Sequence, residues 1–134
     1  MRYALAVIGC IMLLAGCRQE IENAPPPTYV LHQNRPNPFR DSTTVEYGIP
    51  YLGSGAAGPN VRLAVVDRFC RRQATIVTSV NHPAGMFTVS YHGIGLNGRK
   101  LEMGIYYIEL QTYDLSLLDA ADTEVAARIA IFKQ

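Results

Sequence analysis

Residues 85–110 contain two stretches in which large apolar side chains alternate with smaller or polar ones, separated by a polar loop rich in glycine. The first alternation stops at His92 and Gly93, and the second begins at Gly104 and Ile105. A period of two is typical of β-strands, because successive side chains point to opposite faces of a sheet. The stretch therefore predicts two strands around which the rest of the chain is arranged.

Five further segments show strand patterns of the same kind. They are residues 29–31, 43–49, 61–65, 73–78 and 125–132. The third and fourth of these are joined by a tight turn, which predicts a hairpin. Seven short strands with little helix predict an all-β, seven-stranded antiparallel sandwich.

Residues 34–39 follow the first strand and contain Pro36 and Pro38. Proline cannot continue a helix, and it offers no backbone N–H to a sheet. We therefore expect this segment to bend between the two sheets or along the edge of one.

Residues 1–16 have the pattern of a bacterial lipoprotein signal peptide. Arg2 gives a positive start, residues 4–14 are almost wholly apolar, and small residues precede Cys17. The apolar run is shorter than the ~20 residues that a membrane-spanning helix requires, which argues against an uncleaved anchor. We expect Cys17 to carry the lipid, and at about 0.8 kcal/mol per buried CH₂ its acyl chains would hold the protein on a membrane.

Residues 17–28 form the predicted tether, and residues 29–134 form the predicted sandwich domain. The tether contains three consecutive prolines, which favour an extended conformation. At ~3.1 Å per residue it would place the domain roughly 30 Å from the membrane. Arg18 stands where many inner-membrane lipoproteins have aspartate, so we expect the outer membrane, on its periplasmic or surface face.

The charge of the mature chain is balanced. Removal of Arg2 leaves eleven of the twelve Lys and Arg residues against eleven Asp and Glu residues. A nucleic-acid partner would need a basic stripe, and the local cluster of Arg68, Arg71 and Arg72 lies beside a tight turn, where solvated side chains are expected. The sequence therefore predicts no nucleic-acid partner and implies no electrostatic one.

Chemically reactive residues are sparse. Cys70 is the one thiol left in the mature chain, which excludes an internal disulfide and a cysteine-rich metal site. It is either a tolerated lone thiol or a redox or intermolecular disulfide site. His32, His82 and His92 lack the spacing of metal ligands, and we expect His82 and His92 to be solvated in turns.

No serine lies in a nucleophile elbow, and no glycine-rich loop precedes a helix that could bind phosphate. Four acidic residues could line a weak calcium loop, but they lack the regular alternation of oxygen ligands. They are Asp114, Asp119, Asp122 and Glu124. We expect no catalytic residue, no cofactor, no metal and no small-molecule substrate.

Several motifs in sequence order resemble one domain family. They are LHQNRPNPF at residues 31–39, STTV at 42–45, VVD at 65–67, GMFTVSYHG at 85–93 and GIYY at 104–107. They are similar to the immunoglobulin-like domain at the C-terminus of flagellar hook-capping proteins. A related form is the C-terminal sorting domain of proteins exported by the type IX secretion system. The resemblance spans nearly all of the mature chain and implies an immunoglobulin or fibronectin III-like sandwich.

The resemblance implies structural roles for Tyr91, Gly93, Gly104 and Tyr106. Tyr106, two residues after Gly104, is similar to the tyrosine corner of immunoglobulin-type sandwiches, in which the hydroxyl binds nearby backbone. The alternative is that Tyr106 is an ordinary half-buried aromatic residue of a strand.

The chain departs from the family pattern at three positions. Tyr91 replaces a tryptophan and His92 an aspartate, so we expect the following loop to lose a carboxylate cap. Cys70 replaces a turn glycine at a position that often needs a positive φ, which predicts a shifted turn type.

Two loops are longer than those of the family and are the candidates for partner binding. One is residues 53–60, with Gly53 and Gly55, and we expect it to be a surface loop. The other is residues 113–123, which form a helical turn or an apolar loop tip and include Tyr113, Leu115, Leu117 and Leu118.

The sequence as a whole predicts a lipid-anchored structural or protein-binding module of the bacterial cell envelope, an accessory subunit or scaffold of a membrane assembly. Its expected partners are the membrane and another envelope protein, bound through loop tips or a strand edge. The alternative is a sorting-type domain that directs surface export or attachment. The alternative is weakened because sorting domains normally follow a cargo, whereas only the tether precedes this domain, and because lipidation would compete with release.

Overall fold

The computed structural model describes residues 24–114 and 123–134. Several predictions concern residues outside these ranges: the signal peptide, Cys17, Leu115, Leu117, Leu118, Asp119 and Asp122. No helix among the described residues is long and apolar enough to cross a membrane.

The described chain is all-β, as predicted, with seven strands. They are β1 (Val30–Leu31), β2 (Thr43–Ile49), β3 (Asn60–Val66), β4 (Arg72–Ser79), β5 (Gly85–Tyr91), β6 (Gly104–Tyr113) and β7 (Thr123–Lys133). Each predicted strand is present, and the main difference is that β6 and β7 are longer than the alternation indicated. Their extra residues pair with each other at both ends, for example Gly104 with Lys133.

The strands form two antiparallel sheets, one of three strands in the order β1-β2-β5 and one of four in the order β4-β3-β6-β7. Strand β6, which the sequence marks as apolar on both faces, lies inside the larger sheet between β3 and β7. The alternation predicted for β2 is also present, because Val45 and Tyr47 are buried while Thr44 and Glu46 face solvent. The two sheets therefore pack as a sandwich.

The inward faces of both sheets meet in one core. Its fully buried side chains include Phe39, Val45, Ile49, Leu63, Val65, Ile108, Leu110 and Ile131. Most of these residues are β-branched or leucine, which fill the space between pleated sheets well. Burial of each such side chain contributes roughly 1.5–3 kcal/mol, so the core needs no disulfide.

The segment with the two prolines lies along a sheet edge, as expected. Gln33 Nε2 donates to the Ala130 carbonyl at 2.8 Å, and Asn37 Oδ1 accepts from the Phe132 amide at 2.9 Å. The Phe39 amide then donates to the Phe132 carbonyl at 2.9 Å. These bonds occupy outer backbone groups of Ala130 and Phe132, which protects the C-terminal end of β7 from pairing with another chain.

The sandwich has two distinct ends. Residues 24–29 enter beside the last residues of β2, since Val30 pairs with Gly48 and the ring of Pro26 lies against Gly48. We call this the entry end. At the opposite end, which we call the hairpin end, β3 turns into β4 through residues 67–71 and β6 begins.

Candidate functional site

The turn between β3 and β4 lies at the hairpin end, and its residues 68–71 are exposed. The Cys70 amide donates to the Asp67 carbonyl at 3.0 Å, and Cys70 has a φ of 61°. This is a type I turn followed by a left-handed residue, a common three-residue hairpin connection. The predicted change of turn type was therefore wrong, because Cys70 adopts the left-handed conformation that usually requires glycine.

Asp67 fixes the backbone of this turn. Its Oδ1 accepts from the amides of Phe69 and Arg71 at 2.8 and 3.0 Å, and its Oδ2 accepts from Arg71 Nε at 2.8 Å. Desolvation acts to raise the pKa of Asp67, but the hydrogen bonds from Arg71 and Phe69 and the charge of Arg71 outweigh it and lower the pKa. The carboxylate therefore stays ionised and holds the turn in one shape.

The fixed turn presents an aromatic ring between two cations. Phe69 is 62% exposed, and the guanidinium carbons of Arg68 and Arg71 lie 4.7 and 5.0 Å from its ring centroid. Arginine stacked on an aromatic face keeps its N–H groups directed outward in the plane of the guanidinium. The tip therefore combines apolar area with oriented hydrogen-bond donors.

Tyr106 lies beside this turn at the start of β6. Its hydroxyl donates to the Glu102 carbonyl at 2.9 Å, which is the backbone bond that a tyrosine corner makes. Desolvation, followed by the charges of Glu102 and Asp67, raises the pKa of Tyr106. Gly104, between them, has a φ of 152° and an open space where a Cβ would lie. The bond holds residues 102–106 in a fixed bend.

The loop after β5 is held by backbone hydrogen bonds, by the Tyr91 hydroxyl and by the side chains of Asn97 and Lys100. The Tyr91 hydroxyl donates to the Ile94 carbonyl at 3.0 Å, and burial raises the pKa of that hydroxyl, with a smaller contribution from Tyr106. Gly93 has a φ of 68°, and a Cβ there would come within 3.2 Å of the Lys133 side chain. The four residues predicted to be structural, Tyr91, Gly93, Gly104 and Tyr106, thus all lie at the hairpin end.

Two grooves lie on either side of Tyr106 and share Glu102. The larger, about 700 Å³, runs between the turn and the start of β6 and is lined by Phe69, Met103 and Ile105 among others. The smaller, about 390 Å³, lies against the loop after β5 and is lined by cationic and apolar side chains, including Arg72, Arg99, Lys100 and Leu96. Both grooves are open to solvent at the same end of the sandwich.

The fold gathers positive charge at this end. Seven exposed cations lie here: Arg40, Arg68, Arg71, Arg72, Arg99, Lys100 and Arg128, whose Nη2 is 3.8 Å from Cys70 Sγ. Three carboxylates accompany them: Asp41, Asp67 and Glu102. Lys100 Nζ pairs with Asp41 at 3.2 Å, whereas Arg72 and Arg99 form no ion pair with any described carboxylate. Sequence inspection detected only the cluster around the turn, because the other cations come from distant segments.

The same end exposes large apolar side chains. Met103 is 80% exposed, Leu96 62% and Ile105 54%. Ile105 is also the cross-strand partner of the exposed Phe132, so their side chains share the outer face of the larger sheet. A surface that mixes aromatic, apolar and arginine side chains is typical of protein–protein hot spots.

The described residues of the predicted binding loops, Gly53, Gly55 and Tyr113, lie at the other end. Gly53 and Gly55 have φ values of 121° and 76° in the connection from β2 to β3. Tyr113 ends β6, where its carbonyl accepts from Asn60 Nδ2 at 3.2 Å. The structure thus places these residues at the entry end, apart from the cationic surface.

His82 is also at the entry end, and the expectation that it is solvated was wrong. It is 5% exposed, and its ring packs edge-on against Phe87 with centroids 4.5 Å apart. Its Nδ1 donates to the Pro83 carbonyl at 2.8 Å, and its Nε2 lies 3.0 Å from the Tyr47 hydroxyl. The burial arises because the His82 amide donates to the Pro59 carbonyl at 2.8 Å, which holds the turn against the neighbouring loop.

The remaining candidate residues lie apart from one another. His92 is exposed, as expected, and His32 is exposed with its Nε2 3.4 Å from Glu46 Oε1. Cys70 is an exposed free thiol, 3.8 Å from Arg128 Nη2. No group of three or more His, Cys, Asp or Glu residues within residues 24–114 and 123–134 could hold a metal ion.

Comparison with known proteins adds no relative to this description, since no family model, no curated protein and no solved structure matches the chain.

Proposed function

We propose that this protein is a lipid-anchored, immunoglobulin-like module of the bacterial cell envelope that binds a partner protein through its hairpin end. In this proposal Cys17 carries the lipid and the proline-rich segment is the tether. The module has a binding role and no catalytic one.

The observation that carries the proposal is that the tether and the cationic surface lie at opposite ends of the sandwich. The chain that leads back to Cys17 leaves at the entry end, beside Gly48. The exposed cations and the stacked Phe69 lie at the opposite end. A tether of the proposed length would hold the entry end nearer the membrane and leave the hairpin end free to contact another protein.

Both ends expose apolar side chains, so charge is what distinguishes them. Tyr51 and Leu52 at the entry end are 64% and 52% exposed, comparable to Phe69 and Leu96 at the hairpin end. In the proposed orientation the entry-end residues face the membrane across the tether. The hairpin end combines its apolar area with arginine, which is enriched in protein interfaces.

The test is a mild-detergent pull-down of the full-length lipoprotein from its native membrane, with quantification of the bound proteins. The double variant Phe69→Ser/Met103→Ser should lose a stoichiometric partner that the wild type retains. The matched control, Tyr51→Ser/Leu52→Ser, removes similar exposed apolar area at the entry end and should retain the partner. Loss of the partner in the control alone would contradict the proposed orientation.

Two companion measurements test the rest of the proposal. Metabolic labelling with a fatty acid should mark the wild type and should not mark a Cys17→Ser variant. A reporter fused to residues 85–134 should stay inside type IX-competent cells, whereas its appearance at the cell surface would favour the sorting-type alternative.

A further inference from the structure

We infer that the hairpin end recognises an acidic extended segment of its partner, with carboxylates in the two grooves and apolar side chains over the ridge between them. This inference rests on the proposed function and specifies the chemistry of the bound segment. It follows from the distribution of charge, the arrangement of donors and the shape of the surface.

The charge distribution selects an acidic ligand. Seven exposed cations against three carboxylates leave the hairpin end with excess positive charge, although the mature chain as a whole is balanced. Charge complementarity of this kind speeds encounter and discriminates against partners with the wrong sign. A neutral or basic partner would offer no carboxylates to pair with the cations of this end.

The donors suit carboxylates in particular. Arg68 and Arg71 are held by stacking on Phe69, and Arg71 is also held by its bond to Asp67. Arg72 and Arg99, in the smaller groove, form no ion pair with any described carboxylate. A fixed guanidinium presents two parallel N–H groups that match a carboxylate, and less conformational entropy is lost when it binds.

The shape and mixed character of the surface favour a protein segment over a bilayer or a nucleic acid. Two grooves flank the ridge formed by Glu102 and Tyr106, and a flat membrane surface cannot enter them. The Glu102 carboxylate between the cations would repel a continuous line of phosphates. An extended chain places alternate side chains about 6.6 Å apart on one face, so it can present carboxylates to the grooves and apolar groups to Met103.

The test uses purified full-length protein and a defined probe, a labelled peptide of about ten residues with the repeat Glu-Ser-Phe-Ser, which places glutamate and phenylalanine in turn on the same face of an extended ligand. Its counterpart with glutamine in place of glutamate is the ligand control. Fluorescence anisotropy should show that the glutamate peptide binds more tightly, and that raising the salt from about 50 to about 300 mM weakens it, because screening shortens the reach of the charges.

A matched pair of variants locates the site. Arg72→Gln/Arg99→Gln and Ser54→Glu/Ala56→Glu each lower the net charge by two, the first at the hairpin end and the second at the entry end. The first should weaken the glutamate peptide by about tenfold or more, as expected for two lost charge-assisted hydrogen bonds, and the second should leave binding unchanged. Circular dichroism melting would establish that both variants fold.

Three outcomes would overturn the inference: equal binding of the two peptides, equal weakening by the two variants, or no binding to the peptide together with binding to phosphatidylglycerol vesicles that Arg72→Gln/Arg99→Gln weakens. These outcomes are distinct from failure of the proposed function. If the native partner is lost in Phe69→Ser/Met103→Ser but retained in Arg72→Gln/Arg99→Gln, the hairpin end binds a partner through apolar contacts and the acidic-ligand inference is wrong.

Discussion

The two ends of the sandwich use aromatic side chains in opposite ways. At the entry end, Tyr47, His82 and Phe87 pack together with ring centroids 4.5–5.6 Å apart, and both nitrogens of His82 are bonded. At the hairpin end, Phe69 is 62% exposed and is contacted by the guanidinium groups of Arg68 and Arg71. The first arrangement buries polar atoms within the fold, and the second directs them outward.

From this difference we expect the entry-end cluster to contribute mainly to stability and the hairpin end mainly to binding. A buried polar group that loses its partner keeps the full desolvation penalty, so the entry-end cluster is expected to be sensitive to substitution. An exposed aromatic ring that contacts two exposed arginine side chains contributes little to folding, so substitution of Phe69 is expected to change stability little. Substitutions at the two ends should therefore affect different measurements.

The largest expected effect is a loss of folding stability on substitution at the entry end. His82→Ala removes a buried ring, leaves a cavity and deprives the Tyr47 hydroxyl of its acceptor. We expect the free energy of unfolding to fall by about 2–4 kcal/mol, from the cavity and the unsatisfied hydroxyl together. Urea denaturation followed by circular dichroism measures the change, and binding of the glutamate peptide below the transition should be retained.

Tyr47→Phe is the control for this cluster. It keeps the ring contact with Phe87 and removes only the hydroxyl. We expect a smaller loss, about 1–2 kcal/mol, because His82 Nε2 becomes the unsatisfied group. If His82→Ala were no more destabilising than a surface substitution, the contrast between the two ends would be wrong.

Tyr106→Phe is expected to have the next largest effect, and it tests the fixed part of the hairpin end. The hydroxyl that bonds the Glu102 carbonyl is lost while the ring remains. We expect a loss of about 1 kcal/mol in the free energy of unfolding, typical of one hydrogen bond. Tyr107→Phe is the matched control on the next residue and should change stability by less, because no hydrogen bond to the Tyr107 hydroxyl is present among the described residues.

The fold could be predicted from the sequence because its signals are local. The alternation in residues 43–49 predicts a strand with the bounds that the structure gives, Thr43–Ile49, since each side chain's face follows from its position in the strand. The backbone chemistry of proline also limited the segment with Pro36 and Pro38 to two places, a bend between the sheets or a sheet edge, and the structure has the second. The strand predictions, which needed only neighbouring residues, were therefore confirmed, whereas the local predictions of the turn type at Cys70 and of a solvated His82 were wrong.

The candidate site could not be predicted, because it depends on contacts between distant segments. The burial of His82 requires Tyr47, 35 residues earlier, and the Pro59 carbonyl, and no local pattern marks it. Likewise, the cationic surface combines Arg99 and Arg128 with the turn only once the strands have paired. The formal net charge of +1 does not show that the fold concentrates positive charge at the hairpin end.

A third expected effect is a gain in stability at the turn. Cys70 has a φ of 61°, which costs a residue with a Cβ more than it costs glycine. Cys70→Gly should raise the free energy of unfolding by about 0.5–1 kcal/mol, the left-handed strain less the greater entropy of glycine in the unfolded chain. Cys70→Ser is the control that removes the thiol but keeps the Cβ, and it should give no such gain; a gain equal to that of glycine would mean that the thiol, not the backbone, is unfavourable.

The smallest expected effect concerns the dependence of the turn on pH. Despite the opposing desolvation, the hydrogen bonds from Arg71 and Phe69 lower the pKa of Asp67 below its ordinary value of 3.8. A carboxyl group with a lowered pKa in the folded state stabilises the fold above its unfolded pKa, and this contribution is lost as the pH falls through the folded value. Wild type should therefore lose slightly more stability than Asp67→Asn between about pH 5 and pH 2, because asparagine does not titrate. Parallel acid titrations of the two proteins in urea measure the difference. Identical curves would show that the turn at the hairpin end is held without the charge of Asp67, and the exposed arginines would then lack the fixed support that distinguishes this end from the other.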